Sequence, residues 1–428
     1  MRRLLVSFLL VSATLLAQDI QSPNPKQRAK AAKELAKQGS AAIPRLDALL
    51  ADPAVEVRIE AVKALVEIGT VRSLNPLIRA TTDNDPEVQI RATDGLVNFY
   101  LPGYVQTGLT ASLRRVGGAI RAKFGDASDT VIDPYIEVRP EVIAALGKLV
   151  RGGSSMESRA NAARAIGILR GRAALADLYQ GLRSKDDTLM YECLMAIQKI
   201  RDPEAGPHIQ FLLRDLNERV QIAAIETTGL LKNRAAMQDL FAVLDNPRSN
   251  RVRRAALQAI AQMPEEANRT ILSRYLHDRD DDLRALAYEG IGRLKNPSDL
   301  KMFEEAFNSE RKMNVRLAQA FGLVMLGKLE MSEFSPLRYL VNTLNSRSWR
   351  GVASGYLIEL ARQEPVRRAI YPTLRQGTKD EKIEIARVLA RSGGKDSEQP
   401  LDALTKDPDT QVAEESLRAL RSVRARVQ

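Results

Sequence analysis

The chain has 428 residues, more than one globular core usually holds, so several domains or one elongated array are expected. Aromatic residues are only 5% of it while Ala, Leu and Arg dominate, a composition that favours helix. The single cysteine, Cys193, excludes an intrachain disulfide or a Cys-based metal site, and the formal charge of +11 points either to acidic partners or to a solvated Lys/Arg surface.

Residues 1–17, MRRLLVSFLLVSATLLA, read as a secretory leader. Their start is basic, the apolar run from Leu4 to Leu16 is too short to span a bilayer stably, and Ala17 suits cleavage ahead of Gln18. Export to the periplasm or out of the cell is expected, with an uncleaved N-terminal anchor as the alternative. A lone thiol fits that oxidising compartment, and a chain so exported, still +9 without Arg2 and Arg3, is not expected to meet nucleic acid. Residues 18–24 form a flexible lead-in.

From Pro25 the chain becomes repetitive. NPKQRAKAAKELAKQG is expected to form a helix ending at Gly39, and AAIPRLDALLAD a second one ending at Asp52. DPAVEVRIEAVKALVEIG follows, with Val55, Ile59, Val62, Leu65, Val66 and Ile68 at helical steps, Asp52 as the expected N-cap and Pro53 at the first helical position. DPEVQIRATDGL is its plainest copy, which sets Asp85 against Asp52 and Arg91 against Arg58, 33 residues on. The apolar site of Val57 can be followed through Ile90, Met190, Val220, Val252, Leu283, Val315, Trp349, Ile383 and Val412, with small residues such as Ala223, Ala255 and Ala318 three positions beyond it. A two-helix period of about 32 residues gives an all-α fold, an α-solenoid of about twelve helix pairs.

These stretches resemble HEAT-like repeats, especially the short type of phycobilin lyases and deoxyhypusine hydroxylase, over roughly residues 25–100 and 141–427. The resemblance implies the fold. Hydroxylases of that type hold di-iron through His-Glu pairs, whereas here His208 precedes Ile209 and His277 precedes Asp278, so neither the oxygenase activity nor its metal is carried over. No residue argues for bilin attachment, and no cofactor is expected.

Residues 101–139 break the pattern. LPGY stops a helix at Tyr104, and GLTASLRRVGGAIRAKFG then places Leu109, Leu113, Ile120 and Phe124 at helical steps beside Arg114, Arg115, Arg121 and Lys123, with no acidic residue. DASDTVIDPYIEVRP, with Tyr135, is expected to be extended, since Val131–Ile132 and Tyr135–Val138 favour strand. This basic amphipathic insert is the candidate interaction segment. It suits a partner's groove or an anionic membrane surface, or it folds back on the array. The array resumes at 140 and continues to 428, closing with a longer capping helix.

The repeated Asp…Arg pairs are expected to act structurally, as caps and links between units, rather than as a functional row. Trp349 is expected in the core, and Asp278, Asp280, Asp281 and Asp282 at a helix N-terminus rather than around calcium. No G-x-S-x-G, P-loop or strand-borne G-x-G-x-x-G is present. The resulting expectation is a non-catalytic scaffold of the cell envelope that binds a protein or extended peptide. The alternatives are a HEAT-like enzyme or cofactor-handling protein, and a binder of anionic lipid or polymer.

Overall fold

The computed structural model describes residues 20–105 and 130–427. The expected leader and Leu109, Leu113, Arg114, Arg115, Ile120, Arg121, Lys123 and Phe124 lie outside them. Among the described residues the chain is helical without strands, built from pairs in which a short first helix is followed by a longer second one.

The first unit runs to Thr227, without Asp133–Tyr135. Its second helices are α1 (Pro25–Leu35), α3 (Val55–Ile68), α5 (Pro86–Tyr100), α7 (Met156–Ile168), α9 (Asp187–Ile200) and α11 (Glu218–Leu230). The first helices between them are α2 (Ile43–Leu49), α4 (Leu74–Ala80), α6 (Pro140–Gly152), α8 (Leu175–Gly181) and α10 (Gly206–Ile209). The second unit runs from Thr228 and takes in Asp133–Tyr135. There the first helices are α12 (Met237–Asp245), α14 (Arg269–Ser273), α16 (Leu300–Ser309), α18 (Pro336–Thr343), the broken pair α20 (Glu364–Ile370) and α21 (Thr373–Gln376), and α23 (Glu398–Leu404). The second helices are α13 (Asn250–Ala261), α15 (Asp281–Leu294), α17 (Met313–Met325), α19 (Arg350–Leu360), α22 (Lys379–Ser392) and α24 (Thr410–Val427).

Within each unit the most extensive packing joins successive second helices, such as α7 on α9, α15 on α17 and α22 on α24. Their shared face is apolar and dry: Val57, Val88, Val220, Val252 and Val315 are fully buried. Helices α5 and α7 also pack directly, so no second helix stands between them despite the longer stretch of sequence that joins them.

Four expectations need correction. Helix α1 ends at Leu35, and Gly39, at φ +61°, turns the chain inside a following 3-10 segment. Helix α3 begins at Val55 with Ala54 as N-cap, so neither Asp52 nor Pro53 has its expected place. Residues 131–138 form no strand. Pro134 and Pro140 cannot donate, and the backbone bond from Ile132 N to Ile168 O (3.0 Å) has no ladder around it. Trp349 is half-buried because it is the N-cap of α19 rather than an interior helical residue.

Candidate functional site

The links between repeats correct the alignment of the copies. Arg58 donates from Nε and NH2 to Asp83, at 2.7 and 2.9 Å, and from NH1 to the Asp52 carbonyl six residues back at 2.9 Å. Arg28 makes the same set: Nε to Asp52 at 2.7 Å and NH1 to the Ser22 carbonyl, again six back. Gln89, not Arg91, is the next member, because its Nε2 donates to the Asp83 carbonyl six back at 2.6 Å. Arg284 and Arg350 also reach the carbonyl six back. Asp83 is therefore the counterpart of Asp52, and Val88 that of Val57. Asp85 instead caps α5, accepting from Glu87 N and Val88 N, while Arg91 pairs with Glu87 along the same helix. The Arg28 hydrogen bond holds the Asp52 carboxyl below its usual range, and Asp83 raises the Arg58 guanidinium.

A polar row crosses the second helices of the first unit. Asn161 Nδ2 on α7 donates to Asp94 Oδ1 on α5 at 3.0 Å, Arg164 on α7 pairs with Glu192 on α9 at 2.7 Å, and Gln198 Nε2 on α9 donates to Thr227 Oγ1 on α11 at 2.9 Å. Tyr104, where the insert leaves α5, joins this row. Its hydroxyl is pushed up to about 12 by burial, with Asp94 adding to the effect and a hydrogen bond to Arg164 opposing it. Burial likewise raises the Asp94 carboxyl, offset in part by Asn161. Glu226 on α11 is open to solvent, yet surrounding protein crowds it enough to raise its carboxyl, and no ion pair to it is seen among the described residues.

The second unit carries a tighter cluster. Arg293 on α15 is 8% exposed and pairs with Glu289 on its own helix at 3.1 Å and with Glu359 on α19 at 2.9 Å. Tyr356 donates to Glu289 Oε1 at 2.6 Å, and burial drives its hydroxyl well above the ordinary value. Burial alone would raise Glu359, but the Arg293 bond and charge outweigh it and hold the carboxyl low. Arg293 also lies over the Phe321 ring, 4.9 Å from its centroid, and Phe321 stacks on Tyr356. Every charge here has a partner, so the cluster reads as a joint rather than a reactive centre.

The remaining expected positions are scattered. Tyr135 donates to Asp133, which pairs with Arg418 of α24 at 2.9 Å. His208 stacks on Tyr179, with ring centroids 3.9 Å apart, and His277 is exposed beside a cavity. Asp280 caps α15 as expected for a helix start, accepting from Asp282 N and Leu283 N. Cys193 is fully buried, which raises its thiol and removes it from reaction. Among the described residues no group of three or more His, Cys, Asp or Glu could hold a metal ion, and no helix is long and apolar enough to cross a membrane. Sequence reasoning missed the Asp94–Tyr104–Arg164–Glu192 row. Its one available signal was charge recurring on the otherwise apolar second helices.

A stack of two-helix repeats joined through arginine–carboxylate links defines a class, the all-helical solenoids. The family model for HEAT repeats matches residues 12–97, 207–291 and 237–324, so the chain contains HEAT repeats. Among solved structures it is 18% identical to phycocyanin lyase, the complex of CpcE and CpcF from Nostoc sp. PCC7120, over 62% of this chain and 92% of that one, with a TM-score of 0.37. It is also 18% identical to human deoxyhypusine hydroxylase over 59% and 96% of the two chains (TM-score 0.28), and to an engineered protein over 96% and 98% (TM-score 0.35). No curated protein matches the sequence.

Proposed function

We propose that the chain is a non-catalytic scaffold of the cell envelope whose second-helix face holds a partner protein or an extended peptide. The observation that carries this is the polar row of the first unit, where the half-buried Asp94 and Arg164 and the exposed Glu226 lie along the second helices, with Glu192 buried as the partner of Arg164. Such a row offers many weak, evenly spaced contacts to a chain laid across it, and no nucleophile–base pair lies within it. Exposed aromatic side chains add contact area outside the row: Phe334 is 80% exposed and Phe211 56%.

The test is crosslinking of envelope proteins to the full chain and to a double variant, Arg164→Glu with Glu226→Lys. A partner captured by the first and lost by the second is the expected result. An unchanged partner set sinks the reading of this face, and stoichiometric iron in the purified protein would favour the enzyme reading instead. The mature N-terminus is expected at Gln18, and a protein beginning at Met1 would leave only the uncleaved anchor as a route to the envelope and would reopen nucleic acid as a partner. Liposome sedimentation with and without residues 108–125 separates out a membrane role, which requires that only the intact chain pellets.

A further inference from the structure

A cavity of about 540 Å³ opens in the second unit between the end of α14 and helix α16. The turns that follow the five-residue α14, at Leu276 to Asp278, form one wall of it. Its size falls in the range of small-ligand sites. Its buried residues are Leu276, Tyr288 and Gln319, and its most exposed are His277, Glu305 and Ser309.

Gln319 decides the chemistry. It is 1% exposed, lines the cavity, and its Oε1 has no hydrogen-bond partner among the described residues. A buried acceptor left unpaired costs roughly 1–3 kcal/mol, which a donor entering the cavity would recover. The lining charge has the same sense. Asp278, Glu305 and Glu310 face a single guanidinium, Arg284. That guanidinium is already engaged, with NH1 on the carbonyls of Asp278 (2.8 Å) and Arg279 (3.3 Å) and NH2 3.7 Å from Glu310. An anion would meet three carboxylates and a cation already in use. A cation with several N–H donors would meet the exposed Glu305 and the remaining oxygens of Asp278 and Glu310, whose Oδ1 and Oε1 already accept from backbone N–H groups. It would also meet the Oε1 of Gln319, whose amide also bonds Tyr288. Leu276, Met302 and Ala306 supply apolar wall for a methylene stem.

We propose that this cavity binds a protonated amine or guanidinium carried on a short apolar stem, either a lysine or arginine side chain offered by a partner or a free polyamine. The site stands apart from the polar row of the first unit, so its failure leaves the scaffold reading intact.

Calorimetric titration of the full chain with 1,5-diaminopentane and, separately, with Nα-acetyl-lysine N-methylamide tests it. Saturable binding is expected for at least one probe, weakened about tenfold by Gln319→Leu and also reduced by Glu305→Gln. The second variant changes an exposed residue and keeps the test decisive should the first fail to fold. Binding of the diamine alone assigns a free polyamine, and binding of the blocked lysine assigns a partner's side chain. No binding of either probe, or binding indifferent to both variants, or preference for inorganic phosphate, overturns the proposal.

Discussion

Arg58 engages its whole guanidinium. Two nitrogens hold Asp83 of the next loop, while NH1 holds the Asp52 and Pro53 carbonyls of its own. Both charged partners are only 9% exposed, so removing the arginine leaves a poorly hydrated carboxylate without its counter-charge. Arg58→Ala is expected to cost about 2–3 kcal/mol in denaturant unfolding. Arg91→Ala breaks only a half-exposed pair along one helix and is expected to stay within about 0.5 kcal/mol. Equal losses would contradict the alignment that sets Gln89 against Arg58. The Asp52 carboxyl gives a second reading. Its folded pKa lies below its unfolded value, so its contribution is complete above about pH 4 and disappears as pH falls through the folded value. The unfolding midpoint is therefore expected to drop below about pH 4, and to drop less in Arg28→Met, whose carboxylate has lost the guanidinium. The residues of these links stood plainly in the sequence, but their register did not. The Asp-Pro at 52–53 lies in a loop whereas that at 85–86 starts a helix, and matching the two dipeptides misplaced Arg91.

At the scale of elements, two helices approach each other through glycine. A Cβ on Gly292 of α15 would lie 2.7 Å from the Gly322 Cα of α17, and one on Gly322 would lie 2.0 Å from Phe303. Gly322→Ala is expected to cost about 1–3 kcal/mol by overpacking, with part of the loss recovered when Phe303→Leu is added. Helix ends show the opposite case. The left-handed C-cap that Gly69 fills at φ 58° is filled by Lys295 at φ 54° on α15, a conformation that carries a Cβ penalty. Lys295→Gly is expected to raise stability by about 1 kcal/mol, read as a higher denaturation midpoint. The helices themselves were legible because their apolar period is regular from Val55 onward. The C-caps were not, since a lysine there has none of glycine's warning, and α14 gave no sign that it would stop after five residues.

At the scale of the whole molecule, the solenoid of HEAT repeats could be read from period and capping residues, because a two-helix unit with one dry face has few other ways to bury it. The interruption after Tyr100 could be read as an insertion, but not that α5 and α7 would pack directly against each other, which depends on packing rather than pattern. The polar row was hidden for the same reason: Asp94 and Arg164 are 70 positions apart in the sequence and one helix apart in the fold.

Arrays of repeats usually gain and lose units freely, since each touches only its neighbours. The bond from Arg293 to Glu359 spans 66 residues and passes over α17 to join helices two units apart. It is a chord across an arc, and it makes α15, α17 and α19 a single heritable block. Excising residues 297–326 would set α19 directly against α15, out of the register in which Glu359 now meets Arg293 across α17, so the shortened protein is expected to lose its cooperative unfolding transition rather than fold as a shorter array. A lineage descended from this chain could vary its number of repeats elsewhere, but in this stretch it would have to carry all three or none.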